Sequence, residues 1–100
     1  MNRTTQMRLI PHIVRIGNDL RGPIDHKGIQ LDLERARQDG FDPQDLYARA
    51  VRVKYLTGET KYPAPPYSEV NPDLLTPADH EQFRENVERL RQDMKRSVAP

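Results

Sequence analysis

The one compact run of titratable residues in this sequence is Asp25-His26-Lys27, set among Gly22, Pro23 and Gly28. A carboxylate beside an imidazole is raw material for proton transfer. Such chemistry also needs a pocket that turns the side chains toward one reacting atom, and sequence neighbours usually point apart. The remaining histidines, His12 and His80, show no metal-ligand spacing with His26. Ser68 and Ser97 are the serines, and neither sits in a nucleophile elbow. No Gly-rich phosphate loop is present. With no cysteine, thiol catalysis, thiolate metal sites, iron–sulfur clusters and disulfide frameworks all drop out. We therefore expect no enzyme, and assign no catalytic residue, metal ligand, cofactor or small-molecule substrate.

Binding chemistry has better candidates. Tyr47, Arg49, Arg52, Lys54, Tyr55, Lys61, Tyr62 and Tyr67 interleave aromatic and basic residues. Cations neutralise phosphates while tyrosines stack on bases, so Arg49, Arg52, Lys54, Tyr55 and Lys61 form the nucleic-acid patch of an alternative reading. Asp42, Asp45 and Glu59 lie close by and oppose it. The net charge of +1 supplies no general field for nucleic acid. Twelve of the sixteen bases are Arg, which forks onto carboxylates and phosphates better than Lys and favours interfaces of either kind.

Phe83, Val87, Leu90 and Met94 follow one another at spacings of four, three and four. That is a narrow seam in the manner of a coiled coil, thinner than the stripe of an ordinary core helix. These four are the expected protein-binding residues. The neighbour could be the chain's own helix at 42–57, a second chain or a second copy. Tyr62-Pro-Ala-Pro-Pro-Tyr67 contains a minimal P-x-x-P, but Thr60 and Ser68 occupy the flanks where a basic residue is favoured. It reads as a linker or wrapping arm.

The elements that must position these residues belong to one small domain of 100 residues. Leu, Ile, Val and Phe total 22, against a mean hydropathy of −0.89, so the core is thin. The expected class is mainly α: two to three short helices, an N-terminal extended or β segment and a Pro-rich extended connector. Residues 1–28 read as an arm. In it Ile13-Val14-Arg15-Ile16 is β-branched and bounded by Gly17-Asn18, Pro11 confines the strand to an edge or its start, and a Gly/Pro loop follows. Residues 29–58 read as a hairpin-like helical core. A first helix spans about 30–39 before Gly40, with strand pairing over 29–33 as the alternative. A second spans 42–57, opened by Asp42 as N-cap, Pro43 at N1 and Asp45 at N3, with Phe41 and Leu46 at staple spacing. A β-hairpin over 51–62 competes with its second half.

Residues 59–76, holding Pro63, Pro65, Pro66 and Pro72, read as the connector. Residues 77–97 read as an amphipathic helix with Thr76 as N-cap, Pro77 at N1 and Asp79 completing a capping-box pattern. Its acids precede its bases, as the helix dipole favours, and Glu85–Arg89 has ion-pair spacing.

No run of 18 apolar residues and no secretory apolar core is present. Arg3, Arg8 and Arg15 precede the first acid, as in a transit peptide, but Pro11 argues against the amphipathic helix that would require. The Asn2-Arg3-Thr4 sequon has no secretory context. The expectation is a soluble intracellular protein or one incorporated in a particle. It would be a non-catalytic structural or accessory subunit docking into a larger assembly or homo-oligomer through helix 77–97, with residues 1–28 as a second contact. A virion component or a phage-encoded inhibitor fits that size, although no residue argues for either in particular.

Overall fold

In a computed structural model, which describes residues 2–58 and 61–98, the chain folds as helices α1 (Arg3–Arg21), α2 (His26–Gln38), α3 (Pro43–Leu56), α4 (Tyr67–Val70) and α5 (Pro77–Val98). A single 3-10 turn, Pro72–Leu74, lies between α4 and α5. The mainly α expectation holds.

The N-terminal β segment does not. No strand occurs among the described residues, and 13–16 lie inside α1. Leu9, Ile16 and Leu20 are buried and Ile13 packs against them, a spacing that makes one helical stripe. A strand would have sent Ile13 and Ile16 to opposite faces, so burial overrides the β-branched preference. Asn2 opens the helix by accepting a hydrogen bond from the Thr5 amide at 2.8 Å. Pro11 is tolerated because it sits on the exposed side, where water can reach the Met7 carbonyl that loses its donor. The loop expected over 17–28 shrinks to 22–25, since α1 runs on through Gly17-Asn18 and α2 starts at His26.

The locally encoded boundaries appear where the sequence places them. Asp42 accepts from the Gln44 amide at 3.2 Å, and α3 stays helical to Leu56 instead of turning a hairpin. Gly40 and Gly58 follow α2 and α3 with φ of +93° and +76°, a left-handed conformation that side chains disfavour. Thr76 accepts from the Asp79 amide at 3.2 Å while Asp79 accepts from the Thr76 amide at 2.9 Å, a reciprocal box. On α5 Glu88 approaches Arg91 at 3.7 Å.

α1 and α3 run side by side in the same direction. Arg8 and His12 near the start of α1 meet Asp39 just ahead of α3, and the Leu20 carbonyl near its end accepts from Lys54 at 2.5 Å. α2 returns between them. Ile16, Leu20, Ile29, Leu33, Leu46 and Ala50 form the centre of the core. The connector is less extended than its prolines imply, because α4 and the 3-10 turn lie along α2 and bury Val70 and Pro72. Tyr47 donates to the Pro65 carbonyl at 2.5 Å and its ring meets Tyr67 at 6.0 Å, which ties that segment to α3. Glu59 and Thr60, expected beside the basic patch and at the proline flank, lie outside the described residues.

The radius of gyration is 14.8 Å, against about 13 Å for an average domain of this length. α5 accounts for the difference. Its 22 residues span about 33 Å, and the body holds it at the N-terminal end. There Lys27 pairs with Asp79 at 2.6 Å and Phe83 is buried beneath Arg35. From Arg84 to Lys95 every residue except Val87 is exposed.

Candidate functional site

The Asp25-His26-Lys27 cluster comes apart in three dimensions. Asp25 occupies the N-cap position of α2, with its carboxylate so close to Gly28 that a Cβ there would lie 2.8 Å from Oδ2. His26 reaches Glu69 on α4 at 3.1 Å, and Lys27 reaches Asp79 on α5. Lys27, helped by the Thr76 bonds, pulls the Asp79 carboxyl down to about 2. His26 and Lys27 thus fasten two different elements, α4 and α5, to α2, while Asp25 stays at its own helix start.

His12 is buried. It contacts Asp39 through Nε2 at 2.9 Å and Arg15 through Nδ1 at 3.3 Å, with its ring edge-on to Phe41 at 5.6 Å. Arginine can only donate, so Nδ1 accepts and Nε2–H donates to Asp39. Arg8 and then His12 lower the Asp39 carboxyl. This network joins α1 to the α2–α3 corner. Among the described residues no group of three His, Cys, Asp or Glu side chains could hold a metal ion, and no helix is long and apolar enough to cross a membrane.

The proposed nucleic-acid residues divide. Lys54 leaves the surface: it is 4% exposed and its ammonium caps the carboxyl end of α1. Arg49 pairs with Asp45 at 3.0 Å. Arg52 and Tyr55 are exposed on α3, and Lys61 lies over the Tyr62 ring at 5.5 Å. What remains on α3 is a sparse surface on which Arg49 is answered by a carboxylate.

The seam residues do come together. Phe83, Val87, Leu90 and Met94 line a groove of about 310 Å³, completed by Arg35 and Gln38 from α2 and Arg91 from α5. Phe83 is the anchored end, whereas Leu90 is 57% and Met94 68% exposed. The neighbour along the groove is thus α2, with Phe83 buried and Val87 half-buried. The helix at 42–57 plays no part in lining it.

No known family model, curated protein or solved structure matches the chain.

Two further groupings depend on contacts between different elements. Asp19 on α1 faces Asp32 on α2. Burial above all, then a hydrogen bond to Asp32 and the charges of Asp32 and Asp25, raise the Asp19 carboxyl to about 7 against the pull of Arg15. Glu34 is buried on α2 and paired with Arg37, which also binds Asp73 of the 3-10 turn. Tyr47 is pushed up to about 12, chiefly by burial.

Proposed function

We propose that this protein is a non-catalytic docking subunit that binds another protein through the outward seam of α5. The observation that supports the reading is the exposure of Leu90 and Met94 at the end of a four-residue apolar line whose other end is anchored in the body. A helix with so little of its apolar face covered recovers its burial against a partner. α1 supplies a second surface: Met7, Ile10 and Val14 are exposed at helical spacing opposite the core stripe.

Co-purification from the cells that express the chain tests this. Proteins retained by the parent should be lost with Val87→Asp/Leu90→Asp, and retention should weaken with salt between about 0.1 and 0.5 M far less steeply than phosphate binding does. An unchanged set of retained proteins in the double variant would refute the reading. Retention of nucleic acid that falls steeply with salt and disappears with Arg49→Glu/Arg52→Glu would favour the α3 surface instead.

A further inference from the structure

The groove beside α5 is chemically one-sided. Its floor is Phe83, Val87, Leu90 and Met94, its polar residues are Gln38, Arg35 and Arg91, and no carboxylate lines it. Arg35 forms no ion pair among the described residues, and its guanidinium lies over the Phe83 ring at 5.8 Å. Among the described residues Arg91 has the 3.7 Å approach of Glu88, which lies outside the groove lining. Two guanidinium groups therefore border an apolar strip about 16 Å long, taking 1.5 Å per residue from Phe83 to Met94.

A second copy of α5 fits this border poorly. On the heptad that places the seam at the core positions, Arg84 and Arg91 flank one side, and Asp79, Asn86 and Asp93 the other. Antiparallel pairing would set Arg84 and Arg91 against Arg91 and Arg84 of the copy. Parallel pairing would call on Asp79, which Lys27 and Thr76 already hold.

We infer that the groove receives an amphipathic helix of about three turns from a different protein, with apolar anchors on the seam and Asp or Glu flanking them beside Arg35 and Arg91. This rests on the docking reading above and adds the chemistry of the partner. An open strip along a helix suits a helical ligand better than the enclosed cleft that holds a small molecule.

The test is selection from a displayed library of three-turn helices, with fixed leucines at helical spacing and randomised flanks, against the full chain. Enriched sequences should carry Asp or Glu at the flanks, shift the Val87 and Leu90 methyl resonances, and bind Arg35→Glu/Arg91→Glu about tenfold more weakly, as two ion pairs become repulsions. Against that variant the selection should turn to Lys and Arg. Arg91→Glu alone, at an exposed position, gives the same readout in part if the double change unfolds the chain. Winners without acidic flanks, or indifferent to both variants, overturn the inference while leaving docking at Val87 and Leu90 intact. No enrichment over Val87→Asp/Leu90→Asp overturns it too. So does a dimer that those two aspartates dissolve, which assigns the groove to a second copy.

Discussion

Asp19 and Asp79 are carboxylates displaced in opposite directions. Asp79, half-buried and ringed by donors, stays ionised down to about pH 2. Its contribution is present above the unfolded value near 3.8 and lost as pH falls from there. Asp19 holds its proton up to about 7 in the fold, beside a carboxylate on the facing helix. The folded state therefore binds more protons than the unfolded chain between pH 4 and 7, and stability declines as pH rises through that window. Urea midpoints should accordingly fall from about pH 4 to pH 8 in the parent. Asp19→Asn, which keeps the shape and loses the charge, should flatten that decline and be the more stable protein at pH 8. A parent midpoint that stays level across this range would contradict the pairing. Neither acid could have been singled out in the sequence. Asp19 follows Asn18 in what reads as a loop, and Asp32 looks like the polar face of a short helix.

At the scale of the element, legibility followed range. The caps at Asp42, Thr76, Gly40 and Gly58 are written within four residues of the boundary they set, and each appears in place. The local signals of α1, a β-branched run and an internal proline, point away from helix. The contacts that overrule them, between Ile16 or Leu20 and the residues of α2 and α3, span more of the chain. The stripe Leu9, Ile13, Ile16, Leu20 was nonetheless readable at helical spacing. Pro11 remains a cost to α1, so Pro11→Ala, restoring a donor on the exposed side, should stabilise the protein by about 1–3 kcal/mol. Thermal unfolding checks this, and a lower melting temperature would mean that the proline shapes the helix usefully. The α5 seam was legible as a pattern, but which surface would border it was not, since Arg35 and Gln38 come from an element more than forty residues away.

The molecule as a whole is a three-helix body with a connector laid along α2 and a long helix leaving it. Protection should follow that division. Amides at the centres of α1, α2 and α3 should exchange slowest, and those of α5 beyond Val87 fastest among the helices, because few buried contacts hold them. Hydrogen–deuterium exchange on the isolated chain, with light scattering to establish that it is monomeric, reads this directly. Slow exchange at Leu90–Met94 in a monomer would mean that the seam is covered within the chain.

α2 touches every other part of this architecture: α1 and α3 on one side, α4, the 3-10 turn and the base of α5 on the other. The groove takes its wall from α2 and its floor from α5, which follows all the other elements in the chain. The body is joined by contacts such as His12–Asp39 and Lys54–Leu20, 27 and 34 residues apart in the chain, whereas the groove has no floor until Asp79 of α5 has reached Lys27, 52 residues away. The groove therefore depends on a longer-range contact than the three-helix body does. On the docking reading proposed above, a partner that recognises both wall and floor would discriminate against chains in which α5 has not yet packed on α2.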